Sequence, residues 1–437
     1  MADDRKPKET QGLPEGWKWV RLGEVIEDTY PGEWGDNPTD TDSKNIFPVF
    51  STLAIDYDGR IDFTKAVPRK LNKKKIEKLK LKKGMILIEK SGGSTDTPAG
   101  KVAILKQDFE GTCSNFIQIL KPNNNTCNSY YLFYRLLYNF KNNIIEKYQQ
   151  RTTGIINFIL KDYFNEYIPL PPLPEQQKIA EILETIDNSI EKTDKIIEKY
   201  KRIKQGLMQD LLTKGIDENG NIRSEKTHKF KDSPLGRIPE EWEVVRLGEI
   251  LKFLKGKTPR KLYDYEEEGM TIYLTPEYLR KNKCDVAFCK KEETLLANED
   301  IIILWDGSNA GEVFWAEKGA VASTMAKIDI TSSDFPIYKK FLYYYLKSNE
   351  FVFKYQVKGS GIPHFEKDIL NTLNSVFPPL SEQKRIAEIL SQIDQAIEKE
   401  EKYKQKLERL KKGLMEDLLT GKVRVNKLLE GENHGMA

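Results

Sequence analysis

The sequence predicts a mixed α/β (α+β) fold. Two globular domains are separated by two long helices, which pack as an antiparallel coiled coil in a pseudo-twofold tandem repeat. Three observations support this prediction: the chain repeats itself, each repeat ends in a long amphipathic helix, and each repeat contains short apolar runs typical of buried strands. The length of 437 residues suits two or three domains.

The composition excludes several classes of protein. A hydrophobic content of 39% and an aromatic content of 10% are enough for packed cores, which argues against disorder. The four cysteines are too few for a disulfide-rich scaffold. No apolar run approaches the roughly 20 residues that cross a bilayer. The opening residues MADDRKPKETQ lack the apolar segment of a secretory signal, so we expect a cytoplasmic protein without a membrane partner.

The repeat consists of two pairs of similar segments. Residues 13–26, LPEGWKWVRLGEVI, are identical to residues 238–251, IPEEWEVVRLGEIL, at 8 of 14 positions. Residues 171–213 are identical to residues 378–420 at 26 of 43 positions without a gap. The middles between these segments align poorly. A duplicated frame with divergent middles fits a protein that needs two different specificities on one scaffold.

Residues 175–213 predict one long helix, which Pro171, Pro172 and Pro174 precede and limit. Apolar residues recur at 4-3 spacing in this helix and in its duplicate, which is typical of a coiled-coil seam. Because neither seam is stable in water, each is predicted to pack against the other. The seam residues are Ile179, Leu183, Ile186, Ile190, Ile197, Leu207 and Leu211 in the first copy and Ile386, Leu390, Ile393, Ile397, Leu407, Leu414 and Leu418 in the second, with polar gaps at Thr193, Lys204, Glu400, Lys404 and Lys411.

These patterns divide the chain into a first domain (1–170), a central helix (171–215), a linker (216–237), a second domain (238–377), a distal helix (378–425) and a flexible tail (426–437). Apolar runs at 84–88 and 300–304 predict buried strands, and each is followed by a polar turn and a further strand, at 101–105 and 312–315. Residues 130–147 and 338–355 predict helices rich in Tyr, Phe and Leu.

The sequence contains no recognisable catalytic motif. It has neither a phosphate-binding P-loop nor a G-x-G-x-x-G turn. The three histidines are too far apart for a metal-binding pair. We therefore predict that this chain has no catalytic residue, no metal site and no bound cofactor.

Basic and polar segments are more informative. Residues 65–83 carry ten Lys or Arg and one Glu, a run that can hold a phosphate backbone or form a solvated helix. A weaker basic cluster surrounds Gly256. The polar turns after the buried strands offer donors and acceptors to base edges, unless they are ordinary hairpin turns, and His364 either stacks on a base or packs. The candidate DNA-binding residues are Arg69, Lys70, Lys73, Lys74, Lys75, Lys90, Ser91, Ser94, Lys257, Thr258, Arg260, Asp306, Ser308, Asn309 and His364.

Over nearly its whole length, the chain resembles the specificity subunit of type I restriction-modification enzymes. The resemblance rests on the two openings at 13–26 and 238–251, and above all on PPLPEQQKIAEIL and PPLSEQKRIAEIL. Residues 360–364, their counterpart at 153–157, and the turn Gly256-Lys-Thr-Pro259 are also similar to the family. The first copy departs from this turn, with PGEWG at 31–35.

The resemblance implies that each middle is a target-recognition domain for one half of a bipartite double-stranded DNA target. It implies that the helices act as a spacer. It also implies two methylation subunits, which carry S-adenosylmethionine, and two motor-nuclease (restriction) subunits, which use ATP and Mg²⁺. A helix of this length measures about 58 Å, on the order of 17 base pairs. We therefore expect an asymmetric split target with a fixed gap.

Three other functions remain as alternatives. A self-contained DNA methyltransferase or nuclease is disfavoured because its cofactor and metal motifs are missing. A coiled-coil adaptor would bind only proteins. An RNA-binding scaffold is disfavoured because no aromatic-rich strand of the RNA-recognition type is seen.

Overall fold

The computed structural model describes residues 12–39, 44–92, 98–152, 155–280, 286–332, 335–355, 365, 373–426 and 428. The chain divides into two compact units. Unit 1 contains Met1–Thr193 and Tyr403–Ala437, and unit 2 contains Asp194–Lys402. Each unit holds one divergent middle, the start of one long helix and the end of the other. The predicted mixed α/β fold with two domains and two long helices is confirmed.

Unit 1 combines several small sheets with helices. Its strands are β1 (Lys18–Arg21), β2 (Ile26–Pro31), β3 (Ile46–Phe50), β4 (Val67–Lys70), β5 (Ile86–Glu89), β6 (Ser91–Gly92), β7 (Val102–Ile104), β8 (Thr112–Cys113), β9 (Ile117–Pro122), β10 (Gln149–Thr152), β11 (Ile155–Phe158) and β12 (Tyr167–Leu170). Its helices are α1 (Lys73–Leu79), α2 (Ser129–Lys141) and α3 (Leu160–Tyr163), and α4 (Leu173–Leu211) begins here. The sheet orders are β2-β9-β5-β7, β4-β3-β8, β10-β11-β6 and β1-β12.

The apolar run at β5 forms the centre of unit 1. Ile86 and Ile88 belong to the core that includes α2, whereas Leu87 belongs to a second core on the other face of the strand. This division follows from the two-residue period of a strand. The helix α2 ends at Lys141, so its predicted end at residue 147 is wrong. The chain turns at Asn143, which adopts a φ of 56° in the left-handed region.

Unit 2 is organised around a six-stranded sheet of order β16-β21-β19-β20-β17-β18. Its strands are β13 (Phe230–Ser233), β14 (Gly236–Pro239), β15 (Glu243–Arg246), β16 (Leu251–Lys255), β17 (Met270–Leu274), β18 (Phe288–Lys290), β19 (Leu296–Leu304), β20 (Val313–Val321), β21 (Met325–Ile330) and β22 (Asn374–Phe377). Its helices are α5 (Leu247–Ile250), α6 (Pro276–Arg280), α7 (Lys339–Ser348) and α8 (Glu350–Tyr355), and α9 (Leu380–Leu419) begins here and ends in unit 1.

The segment 216–237 is more structured than the predicted linker. Ile216 and Ile222 form an isolated β-bridge, and β13 pairs with β14 as an antiparallel hairpin. Arg223 is buried, because it pairs with a carboxylate at the start of α9. The many charges of residues 216–237 predicted a linker, because the long-range partner of Arg223 is not visible in the local sequence.

Each divergent middle is closed by a two-stranded stem. In unit 1, β1 pairs with β12, and Arg21 lies opposite Tyr167. In unit 2, β15 pairs with β22, and Arg246 lies opposite Asn374. The next backbone hydrogen bond is also equivalent, from Leu22 to Glu166 and from Leu247 to Leu373, at 2.9 Å in each case. The chain therefore enters and leaves both middles at matching points.

Within each unit, the start of one long helix packs against the end of the other. Ile179 and Leu183 share a core with Leu418 in unit 1, and Leu211 shares a core with Ile386 in unit 2. Every predicted seam residue is buried or half-buried. Pro174 lies inside α4, not before it, because the first turn of a helix needs no backbone donor. No helix in the described ranges is long and apolar enough to cross a membrane.

Two of the polar gaps in the seam contain ion pairs, nearly buried in unit 1 and half-buried in unit 2. In unit 1, Lys411 Nζ lies 2.6 Å from Asp187 Oδ1, and the Tyr134 hydroxyl donates to Asp187 Oδ2 at 2.8 Å. Burial and then the charge of Asp187 raise the pKa of Tyr134, so its hydroxyl remains a donor. The same arrangement in unit 2 joins Lys204, Asp394 and Tyr344, with distances of 2.6 and 2.8 Å.

A buried carboxylate at the start of each long helix joins the helix to its unit. In unit 1, Glu175 accepts a hydrogen bond from Trp17 Nε1 at 3.0 Å and pairs with Arg424 Nε and Nη2 at 2.7 and 2.8 Å. We call Trp17, Glu175 and Arg424 the carboxylate cluster of unit 1. The carboxylate cluster of unit 2 consists of Trp242, Glu382 and Arg223, and Glu382 also accepts from the backbone nitrogen of Ile216 at 2.8 Å.

The glutamine after each of these glutamates contacts the start of another helix in its unit, α2 in unit 1 and α7 in unit 2. Gln176 accepts from the backbone nitrogen of Asn128 at 2.7 Å, and Asn128 in turn caps α2. Gln383 accepts from the backbone nitrogen of Tyr338, directly before α7, at 2.8 Å. The Glu-Gln pair in both repeats therefore has a structural role that local sequence patterns did not indicate.

We expect Glu175→Ala to lower the free energy of unfolding by about 2–3 kcal/mol, because it leaves Arg424 and the Trp17 indole without their acceptor. Urea unfolding of the purified chain measures the change. The control is Glu181→Ala on the same helix, where the exposed Glu181 pairs with Lys178 and the pair is worth less than about 1 kcal/mol. Equal effects of the two substitutions would contradict the role of the carboxylate cluster.

Candidate nucleic-acid interface

The basic run of unit 1 folds as an edge strand followed by a short helix. Arg69 and Lys70 lie in β4, and α1 begins after Asn72, whose side chain accepts from the backbone nitrogen of Lys74. Ile76 faces the core and is fully buried. The predicted residues Lys73, Lys74 and Lys75 are exposed on the remaining surface of α1. The run is thus neither one continuous helix nor an unsupported loop.

A neighbouring loop joins this basic segment to the rest of the unit. The guanidinium of Arg69 stacks on the ring of Trp34, with its carbon 4.2 Å from the ring centroid. Lys75 Nζ lies 3.1 Å from Glu33 Oε1. The backbone nitrogen of Gly32 donates to the Ile117 carbonyl at 3.0 Å. The loop at 31–35 therefore bridges the basic segment and the start of β9.

The polar turn after β5 lies against the turn that directly precedes β9. The backbone nitrogen of Lys90 donates to the Phe116 carbonyl at 2.9 Å. Ser91 Oγ donates to Asn157 Oδ1 at 2.6 Å. The structure therefore brings the two sets of predicted residues, Arg69 to Lys75 and Lys90 to Ser91, onto connected loops. Ser94 lies outside the described residues.

In unit 2, the predicted basic and polar residues also lie on connected loops. Lys255 pairs with Asp306 at 3.0 Å and lies over the ring of Trp305. The backbone nitrogens of Trp305 and Asp306 both donate to the Thr324 carbonyl, at 2.9 and 3.1 Å. Lys257, Thr258, Arg260, Ser308 and Asn309 are exposed, and His364 lies outside the described residues.

The candidate loops of the two units are joined by the same set of backbone hydrogen bonds, which we call their shared backbone plan. The backbone nitrogens of Lys90 in unit 1 and Trp305 in unit 2 donate to the turns before β9 and β21, respectively. The carbonyls of the same two residues accept from the backbone nitrogens of Phe158 at 2.8 Å and Phe365 at 2.9 Å. Phe365 directly follows His364, and Phe158 directly follows Asn157. The equivalence of 153–157 and 360–364 was visible in the sequence, but Asn157 was not among the predicted site residues.

In each unit a glycine lies directly against the backbone of the turn at the equivalent position. A Cβ on Gly32 would lie 2.2 Å from the Cys113 carbonyl oxygen, and a Cβ on Gly256 would lie 2.2 Å from the Ala322 carbonyl oxygen. Only glycine permits this approach of two backbones. PGEWG at 31–35 and Gly256-Lys-Thr-Pro259 therefore occupy equivalent positions despite their different sequences.

Two buried thiols of unit 1 are not suited to nucleophilic attack. Burial raises the pKa of Cys113 and of Cys127 to about 12, so both thiols stay protonated. Burial also raises the pKa of Glu89, against the opposing charge of Lys101. In the part of the chain that the structure describes, no three His, Cys, Asp or Glu side chains are grouped to hold a metal ion. The absence of a catalytic or metal site stays a prediction.

Comparison with known proteins identifies related chains. The model of the type I restriction modification DNA specificity domain matches residues 14–202 and 239–409. The putative type I restriction enzyme MjaX specificity subunit of Methanocaldococcus jannaschii is 32% identical over 428 residues, which are 96% of each chain. The MjaVIII specificity subunit of the same organism is 42% identical over 196 residues, which are 45% of this chain and 46% of the relative.

Solved structures show the same fold. The S subunit of a type I restriction-modification system from M. genitalium has a TM-score of 0.62 at 17% identity, covering 92% of this chain and 96% of that one. A chain from a study of complex assembly and conformational transition of a type I system has a TM-score of 0.51 at 22% identity, covering 94% of this chain and 100% of that one.

We expect Gly32→Ala to lower the free energy of unfolding by about 1–3 kcal/mol, because the added methyl group forces two backbone segments apart. Urea unfolding checks this prediction. Gly206→Ala is the matched control: it lies in α4 with open space around it, so the same substitution is expected to stabilise by about 0.5–1 kcal/mol. Two effects of the same sign would contradict the packing argument.

Proposed function

Since the chain belongs to the family of type I restriction-modification DNA specificity domains, we propose that it reads a bipartite DNA target for such an enzyme complex. Unit 1 reads one half-site and unit 2 reads the other. The chain contributes recognition and assembly, and the methylation and cleavage reactions belong to its partner subunits. We infer that the complex acts in the cytoplasm, where its DNA target would be found.

The observation that carries this proposal is the contrast between scaffold and surface. The carboxylate clusters, stems and polar gaps of the two units are built from equivalent residues. The exposed loops use the same backbone plan but carry different side chains. Two identical half-sites would need identical loops, so the divergent loops favour an asymmetric target.

The side chains of the loops suit the two parts of DNA recognition. The exposed lysines of α1 provide cations for phosphates, which contribute affinity without sequence information. Ser91 and Asn157 in unit 1, and Ser308 and Asn309 in unit 2, offer donors and acceptors that match base edges in the major groove. Lys257, Thr258 and Arg260 extend the exposed polar surface of unit 2.

The long helices α4 and α9 act as the spacer. Each runs without interruption from one unit into the other. A helix has a fixed rise per residue, so its length sets the number of base pairs between the half-sites.

We further propose the partners of this complex. Two methylation subunits carry S-adenosylmethionine, and two motor-nuclease subunits use ATP and Mg²⁺. The tandem duplication supplies two similar surfaces for two copies of each partner. No cofactor binds to this chain itself.

Methylation mapping tests the proposed function. The chain is expressed with its partner methylation subunit in a host that lacks DNA modification, and methylated adenines are located across the genome. The expected result is a split motif with two different defined halves and a fixed gap. A continuous motif would overturn the two-unit reading. An assembled complex that neither methylates nor selectively binds DNA would favour an adaptor that binds only proteins.

Lengthening the spacer should change the gap alone. Seven helical residues inserted after Thr193 and seven after Lys402 add about 10.5 Å, or about three base pairs. Methylation mapping of this variant should find unchanged half-sites and a gap longer by that amount. Altered bases in either half-site would show that the helices do not act as a simple spacer.

The exposed lysines of α1 should contribute affinity for every DNA sequence. We expect Lys73→Ala with Lys74→Ala to reduce the slope of log K against log salt by about 0.9 for each phosphate that is no longer neutralised. Binding to specific and to unrelated duplexes is measured at several salt concentrations with the assembled methylation complex. Lys226→Ala, which removes an exposed lysine elsewhere, is the control. A variant that loses only its preference for the target would contradict the phosphate assignment.

A further inference from the structure

A large apolar side chain stands on the loop surface of unit 1. Phe116 is 50% exposed, between the buried residues Cys113 and Ile117. Its carbonyl accepts from the backbone nitrogen of Lys90, and the backbone nitrogen of Gly32 donates to the carbonyl of the next residue, Ile117. Phe116 therefore lies among the loops that carry the candidate DNA-binding residues, although sequence patterns gave no reason to single it out.

The turn that carries Phe116 is held at several points. The backbone nitrogen of Ser114 donates to the Phe50 carbonyl at 2.8 Å, and that of Ile117 donates to the Ser114 carbonyl at 3.0 Å. With the bond from Lys90, three hydrogen bonds fix the backbone on both sides of the residue. Phe116 is consequently presented from a defined position, which costs little entropy on binding.

Unit 2 places a different residue at the equivalent position. The carbonyl that accepts from Trp305, the counterpart of Lys90, belongs to Thr324, which is also exposed. A shared backbone position with different exposed side chains is what a residue that determines specificity requires. A residue that served folding would instead be retained or buried in both units.

Building on the proposed function, we propose that Phe116 contacts the 5-methyl group of a thymine in the half-site read by unit 1. The neighbouring cations, Arg69 in β4 and Lys73, Lys74 and Lys75 in α1, indicate a polyanionic partner and not an apolar protein surface. A phenyl ring offers no hydrogen bond. Among the groups on base edges in the major groove, the thymine methyl is the apolar one.

The test removes this methyl group without changing base pairing. Each thymine of the mapped target is replaced in turn by deoxyuridine, and binding is measured with the assembled methylation complex. For the native chain, one replacement in one half-site is expected to weaken binding about five- to tenfold. In Phe116→Ala, native DNA binds about five- to tenfold more weakly, and the same replacement has no further effect.

Two variants serve as controls. Phe116→Leu keeps an apolar side chain and should retain most of the sensitivity to deoxyuridine. Phe351→Ala removes another exposed phenylalanine, 69% accessible, from unit 2 and should leave the response in the unit 1 half-site unchanged.

Several results would overturn the proposal. One is a unit 1 half-site without thymine, and another is a Phe116→Ala variant that keeps the full response to deoxyuridine. A third is a loss of binding in Phe116→Ala that is equal for all DNA sequences, which would indicate insertion between bases. A native complex without any sequence-selective binding would instead refute the proposed function.

Discussion

Each unit is organised around the buried carboxylate at the start of its long helix, because this group must be paired by side chains from other parts of the chain. A carboxylate in a protein interior is stable only when it is paired and hydrogen-bonded. Glu175 therefore requires that Trp17, before the stem of unit 1, and Arg424, after α9, come to the same place. Glu382 imposes the same requirement on Trp242 and Arg223 in unit 2. Three distant parts of the chain meet at one side chain in each unit.

The seam between the helices works by a related principle. An apolar seam alone permits several registers, because leucine and isoleucine pack against one another without strong directionality. A Lys–Asp pair that is partly shielded from solvent favours the register in which the two charges meet. The pairs Lys411–Asp187 and Lys204–Asp394 occupy the polar gaps and select this register within their units. A defined register is what a spacer of fixed length needs.

Much of the fold could be predicted because it is encoded in local periodicity and in the repeat. The long helices, their seams and the central strands at β5 and β19 follow from apolar spacing, and the family resemblance is confirmed. The partner of Arg223 and the turn at Asn143 could not be predicted, because they depend on contacts distant in sequence or on the conformation of single residues. The same holds for Phe116: only its place on the turn held by Lys90 reveals it as an exposed side chain on the interface. Which bases the loops read depends on the DNA itself.

If the two divergent middles are interchangeable DNA-recognition domains on one scaffold, replacing one middle by the other is the decisive experiment. Residues 247–373 are replaced by residues 22–166, so that the cuts fall at equivalent positions of the two stems, where Arg21 pairs with Tyr167 and Arg246 with Asn374. The methylated motif of the resulting complex is then mapped. The half-site of unit 1 is expected on both sides of the gap, and the half-site of unit 2 is expected to disappear. A folded, methylating complex that still recognises the half-site of unit 2 would show that the middles do not carry the specificity.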